Sequence, residues 1–444
     1  MSEPSPLIGA PLAPTMARLA VPGVIGALLT STPGLIEVIF LKESGAGALA
    51  AVALVYPLII LAGMFSAGAF GGAVSGFVAR AIGASDYEEA GTVLVCAVII
   101  SVIGGLLMWL LVVQLGPFLY EYASDSAQVS EAAQRYSVLL FPAILAYWLI
   151  NMLSSVLRGA GDMVRPAFVA ASLLASYCLL GYFTIPGLEA SLNEAIESAA
   201  LAMAGSYLFA LSIAIFFIGR KNQRIRFRIS AFKLETFKGI LKQGLLAASS
   251  SVMTIIYAMV TTLLLSQFGT DWLAGFGLAV RLELIMVPVI FGIGSSMIAI
   301  VGAHAGAGLR DQAISIAWKG IFVNVAMIGS IGILLSLFPG IWCGLVGSDT
   351  VVIQNCRQSL QVIAPTYAFF ALGLGGYLAS QALNTLEFPV FGALLRLLLV
   401  VSGLFWISNQ NSINEVLYLI AIAAIVYDVV VVLGLRFWSW KTNK

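Results

Sequence analysis

The run RKNQRIRFRISAFKLETFKGILK, Arg220 to Lys242, decides how this chain folds: it is the one long, densely charged stretch, and it lies at the midpoint of 444 residues. Eight of its residues are basic, Arg220, Lys221, Arg224, Arg226, Arg228, Lys233, Lys238 and Lys242, against the single acid Glu235. On either side almost everything is apolar. The chain is 60% hydrophobic and 10% charged, whereas a soluble domain carries about a quarter charged residues. That composition excludes a set of water-soluble domains. Lysine and arginine beside membrane spans are retained on the cytoplasmic face and drawn to anionic lipid. The run therefore reads as a basic cytoplasmic linker, residues 220–240, joining two hydrophobic lobes, 1–219 and 241–444. Its plainer reading is a soluble connector, and either one fixes the orientation of the flanking segments.

Working outward, apolar stretches long enough to cross roughly 30 Å of hydrocarbon as helix occur six times on each side. Their limits fall near 17–41, 47–79, 89–114, 133–157, 165–186, 197–219, 241–266, 271–303, 315–338, 358–384, 389–408 and 414–437. Placing the N-terminus inside puts 18 of the 22 basic residues in the cytoplasm, Arg80, Arg158, Arg310 and Arg396 among them. Lys42, Arg135 and Arg357 then lie outside, Arg281 falls within a span, and both termini are expected in the cytoplasm of a bacterial-type inner membrane. The opening MSEPSPLIGAPLAPT has neither the basic region nor the cleavage site of a removed leader, so Met16 onward reads as a retained helix. Net charge is +1, which gives no basic field for nucleic acid. The expected partners are membrane lipids and small molecules, with the chain acting as a monomer. Cys96, Cys178, Cys343 and Cys356 stand apart without a CxxC pair and read as small packing residues.

The halves repeat at an offset of about 223 residues. VSGFVARAIGASDYEEA, Val74 to Ala90, aligns without a gap on MIAIVGAHAGAGLRDQA, Met297 to Ala313, matching Val78, Gly83, Ala84 and Ala90 to Val301, Gly306, Ala307 and Ala313. The same shift carries Pro142 onto Pro365 and Pro166 onto Pro389. Each half has an even number of spans, so both face the same way and are related by an axis along the membrane normal. The expected fold is an all-α membrane protein: twelve transmembrane helices in two six-helix lobes, parallel-topology repeats around a central cleft. Such a pair suits a transporter better than a channel, since no carbonyl-lined filter or acid ring is visible.

On the GASDYEEA turn (Gly83 to Ala90), LRGAGDMVRP (Leu157 to Pro166) and RLELIMVPVIFGIGSSMIAIVGAHAGAG (Arg281 to Gly308), the sequence resembles the multidrug and toxic compound extrusion family of cation-coupled exporters. The resemblance covers nearly the whole chain. The ARAIGASDYEEAG loop is unlike the one that the major facilitator superfamily carries between its second and third spans. The resemblance implies an acidic coupling residue in the first helix, where Glu37 stands in LIEVIF, although the family more often has Asp there. Asn151, in the fourth helix, is the neighbour it leaves for Glu37. Other positions depart from the family pattern. The seventh helix reads SVMTIIY around Thr254, the tenth YAFFALG around Ala371, and the fifth LLASYCLLGYF with neither Asn nor Asp.

Three carboxylates fall within spans, Glu37, Glu283 and Asp428. A charged group at mid-membrane costs about 2.5–3.5 kcal/mol on insertion scales, so each is a site candidate. Glu37 follows Pro33 by four residues, and a proline kink beside an acid gives the helix two shapes that protonation could bias. The structural alternative is a buried glutamate satisfied by Ser31 or Thr32. One acid with few oxygen partners favours H+ as the coupling ion; Na+ is possible if carbonyls freed by Pro33 complete a site. Arg281 and Glu283 project about 200° apart on one helix. Arg281 is therefore expected in a structural ion pair with Asp428, and Glu283 in the second lobe's cavity facing cationic substrate. Tyr147, Tyr257 and Tyr367 are expected as substrate-binding aromatics, and with Tyr56, Trp148, Met253, Met286 and Tyr377 they lie in spans expected near the lobe interface; packing and interface-belt roles are their plainer reading.

His304 has no second His or Cys nearby and is no metal ligand, and GGAVSG, Gly71 to Gly76, suits close helix packing rather than phosphate. No cofactor and no catalytic constellation are expected. The leading function is a proton-coupled antiporter exporting organic cations or amphipathic drugs by alternating access. The alternatives are a lipid-linked precursor flippase of the same superfamily, sodium-coupled export, and an intramembrane enzyme.

Overall fold

Inside hydrocarbon a backbone has no water to bond, so each apolar run closes its own hydrogen bonds as helix. The computed structural model describes residues 6–185, 191–220, 232–347, 349–406 and 412–441, and these form twelve helices long and apolar enough to span. They are α1 (Leu12–Ser44), α2 (Ala46–Gly83), α3 (Tyr87–Ala123), α4 (Ala127–Gly159), α5 (Val164–Thr184), α6 (Leu192–Gly219), α7 (Leu234–Ser266), α8 (Thr270–Gly306), α9 (Arg310–Leu337), α10 (Thr350–Leu383), α11 (Glu387–Trp406) and α12 (Ile413–Phe437). All twelve predicted spans are present. Several run a turn or two further than hydropathy indicates because polar residues cap them: Asp86 accepts from the Glu89 amide at 2.8 Å, and Ser191 with Glu194 forms a capping box. Helix α7 likewise begins at Leu234, so the last part of the predicted 220–240 linker is helix. Lys221, Arg224, Arg226 and Arg228 lie outside the described residues.

The repeat predicted from sequence is visible in the backbone. After α2, the Asp86 amide bonds the Ala81 carbonyl at 2.8 Å and Ser85 is left-handed with φ 59°. After α8, Leu309 bonds His304 at 2.9 Å and Gly308 has φ 78°. After α4 and α10 the left-handed residues are Gly161 and Asn384, and short 3-10 turns, Phe141–Ala143 and Ala364–Thr366, interrupt the same two helices. All of these pairs are 223 residues apart.

The lobes meet around the turns 84–86 and 307–309. A Cβ on Gly83 would collide with the Ala303 carbonyl, and one on Gly306 with the Arg80 carbonyl. Because Arg80 corresponds to Ala303 and Gly83 to Gly306, these are the same contact made twice across the repeat axis. Arg80 Nη1 also donates to the carbonyl of Ala382 at 2.6 Å, and Gln381 Nε2 donates to that of Gly68 at 2.9 Å. At the start of α7, Lys233 pairs with Glu89 of α3 at 3.0 Å and Thr236 donates to it at 2.6 Å. The outer segment of α1, Pro33–Leu41, instead packs on α2, α5 and α6 of its own lobe. The cleft is thus pinned shut at the end where α1 begins.

The opposite end carries a departure from the sequence reading. Cys343 and Cys356 do not pack as free thiols; they form a disulfide between the short helix Gly340–Val346 and the start of α10. Thirteen residues separate them, a spacing without a recognisable motif that only the reversal of chain direction between α9 and α10 brings together.

Candidate coupling and substrate sites

Pro33 has no amide hydrogen to offer, and α1 breaks at Thr32, after which the segment Pro33–Leu41 restarts the helix. Four residues on, Glu37 turns into the first lobe and is 1% exposed. Tyr136 of α4 donates to its Oε1 at 2.6 Å. The hydroxyl of Tyr177 from α5 faces the same carboxyl, and Tyr207 of α6 completes the aromatic wall. Among the described residues no ion pair includes Glu37. Ser31 and Thr32, the structural alternative, donate to Ala27 and Leu28 in their own helix and leave the acid to the tyrosines.

Asn151 is not the partner of Glu37. Its amide donates to Ser66 Oγ at 2.8 Å, and Ser66 sits in the π-helical turn Met64–Phe70 of α2. Tyr147, one helical turn earlier on α4, stands beside Asn151 on the same face, its ring centre 5.0 Å from that of Tyr207. Tyr147 therefore belongs to the first lobe's interior.

In the second lobe the expected pair of Arg281 and Asp428 does not form. Arg281 is exposed on α8, on the side away from Glu283. The cation that acts on Asp428 is Arg396 of α11, a residue that the loop-charge count places in the cytoplasm. It is 8% exposed, nine residues into its helix, which at 1.5 Å per residue is about 14 Å along the axis. Its guanidinium lies 4.4 Å from the ring centre of Tyr257 and 4.7 Å from that of Tyr427, and Nη2 donates to Thr254 Oγ1 at 2.6 Å. Glu283, half-buried, and Tyr367, fully buried with an unpaired hydroxyl, face the same interior. Glu283, Tyr257 and Tyr367 thus face one interior, around an arginine that the sequence reading put elsewhere.

Of the remaining aromatics, Trp148 packs on Phe70, Tyr377 bonds Gln381 at 3.0 Å, and Tyr56 is exposed. His304 bonds its own helix through the Ile300 carbonyl at 2.9 Å. Tyr136, Tyr177, Tyr207, Arg396 and Tyr427 are the site residues that sequence reasoning missed. The position of Arg396 well inside a predicted span was the available signal for one of them; isolated tyrosines in apolar helices gave none.

A family model, MatE, matches residues 22–183 and again 247–406, once in each lobe. Curated relatives include the probable multidrug resistance protein NorM of Thermotoga maritima, 20% identical over 80% of this chain and 77% of that protein. The FAD transporter of Shewanella oneidensis is 23% identical over 89% and 87%, and the multidrug export protein MepA of Staphylococcus saprophyticus 22% over 92% and 90%. Among solved structures, MATE in its bent conformation superposes with a TM-score of 0.90 at 20% identity, covering 98% of this chain and 97% of that one. An outward-facing MATE family multidrug resistance transporter of the MOP superfamily gives 0.88 at 21%, covering 100% and 99%. Matched over most of its length and in both halves, this twelve-helix integral membrane protein belongs to the MatE family, the multidrug and toxic compound extrusion (MATE) transporters.

Proposed function

We propose that the chain is a secondary active antiporter that exports organic cations or similar amphipathic drugs in exchange for protons, working as a monomer without a bound cofactor. The observation that carries this reading is Glu37: a buried carboxyl, bonded by Tyr136 and without a cation partner, on a short helical segment that a proline separates from the rest of α1. Protonation changes what Tyr136 and Tyr177 can bond, and with it the seating of Pro33–Leu41 in its lobe. Proton and cargo then oppose one another, and that antagonism is reciprocal. The basic turns at the pinned end and the disulfide at the other support an orientation with the pinned end, and both termini, in the cytoplasm of a bacterial inner membrane. In that orientation the cleft faces outward.

The test is uptake of a fluorescent cation into inverted vesicles, comparing native protein with Glu37→Gln under pH and sodium gradients applied separately. A pH gradient alone should drive native uptake and leave Glu37→Gln inactive. Uptake that needs sodium and ignores pH would replace the proton in this scheme.

A second reading is favoured by Arg396 and by the likeness to the FAD transporter: export of an anionic aromatic nucleotide. Arg396 acts on both Glu283 and Asp428, so two carboxyls share one guanidinium, which favours cationic cargo. Competition of the fluorescent cation by FAD in the same assay separates the two.

A further inference from the structure

A guanidinium inside a membrane lobe normally takes a carboxylate through two parallel hydrogen bonds. Arg396 does not. Its charge lies between the faces of Tyr257 and Tyr427, one Nη bonds Thr254, and Nε has no partner. Asp428 follows Tyr427 directly on α12, is 1% exposed, and its Oδ1 has no partner either. Its carboxyl rests against α10 at Gly373, where any side chain would occupy the same space. Among the described residues Arg396 forms no ion pair with Asp428 or Glu283, although both act on its charge.

A buried guanidinium and a buried carboxyl in one small interior, each with an unpaired atom, define an alternative arrangement. If Arg396 moves onto Asp428, both unpaired atoms are satisfied and two tyrosine faces are vacated. Ring faces in a buried interior attract a cation with a flat apolar body. Two carboxyls beside one guanidinium make this interior suit a cation better than an anion.

We propose that Tyr257 and Tyr427 form a cage for organic cations, that Arg396 occupies this cage when cargo is absent, and that cargo displaces the guanidinium onto Asp428. The inference rests on the exporter reading above and names the binding site for its cargo. Arg396 is then a built-in competitor, and cargo shifts the balance by as much as it prefers the vacated cage.

The test is a fluorescence titration of the full-length protein in lipid nanodiscs with N-methylacridinium, a flat monocation, at constant pH. Arg396→Gln removes the competitor and should bind about tenfold tighter, the change made by about 1.4 kcal/mol. Tyr427→Leu should bind more weakly, and so should Asp428→Asn, which leaves the displaced arginine without a partner. If native protein and Glu37→Gln bind the probe while a folded Arg396→Gln binds it no tighter, the cage is overturned and the exporter reading stands. Should Arg396→Gln fail to fold, Asp428→Asn decides: weaker binding supports the cage, and equal or tighter binding overturns it. If native protein and Glu37→Gln both fail to bind any organic cation, the exporter reading falls and the cage with it.

Discussion

Arg80 of α2 donates a 2.6 Å hydrogen bond to the carbonyl of Ala382 at the end of α10, fastening one lobe to the other. The same guanidinium lies 4.5 Å from the ring centre of Phe77, and Gln381 returns the contact through Gly68. Arg80→Ala leaves a buried carbonyl without its donor, a loss of about 1–3 kcal/mol that falls on the closed arrangement alone. Spin labels on the α2 and α10 ends should therefore report a larger and broader separation in Arg80→Ala than in native protein.

The paired collisions at Gly83 and Gly306 predict a symmetric result. Alanine at either position pushes a Cβ into the backbone of the opposing helix, so Gly83→Ala and Gly306→Ala should both open the pinned end and lower thermal stability, by similar amounts. Gly277 has nothing within 4 Å of its would-be Cβ. Gly277→Ala should stabilise α8 by up to about 1 kcal/mol through helix propensity, read as a higher melting temperature.

Tyr136→Phe takes the hydroxyl donor from Glu37 without changing the packed volume, and a buried acceptor left bare costs about 1–3 kcal/mol. Thermal stability in detergent should fall by that order while Glu37→Gln, which keeps an acceptor for Tyr136, stays near native. Transport should rank differently. Glu37→Gln should lose all response to a pH gradient, whereas Tyr136→Phe should keep a reduced one.

The disulfide between Cys343 and Cys356 closes a loop for which chain entropy gives about 3 kcal/mol. Reducing agent should lower the melting temperature of native protein and leave Cys356→Ser unmoved. A membrane-impermeant maleimide should label a cysteine placed at the exposed Leu345, beside the disulfide, in right-side-out vesicles and not in inverted ones. The reverse pattern would invert the proposed topology.

The reach of the sequence is clearest where it failed. Arg396 was assigned to a cytoplasmic turn by counting charges, yet it is the centre of the second lobe's polar interior. Loop counting assumes that a membrane arginine lies near a helix end, and it cannot see two tyrosine faces supplied by other helices. The family resemblance makes Asn151 the neighbour of Glu37; in the fold its amide bonds Ser66 instead, a rotation about α4 that helical position alone does not give. Glu37, Glu283 and Pro33 were legible as candidates, because a carboxylate or a proline in an apolar run is conspicuous by type alone; that Tyr257 and Tyr367 share an interior with Glu283 was not.

What the amino-acid sequence determined by itself is the set of twelve helices, their doubling at a fixed offset and the family to which they belong. Those follow from local rules: an apolar run in hydrocarbon must bond its own backbone, and a repeat is a matter of register. Only the tertiary structure decided which side chains meet, such as Tyr136 with Glu37 across 99 positions and Arg80 with Ala382 across 302. In water a helix declares its inward face by being apolar there. In lipid both faces are apolar, so the rotation of each helix, and with it every contact of the two sites, is set by packing alone.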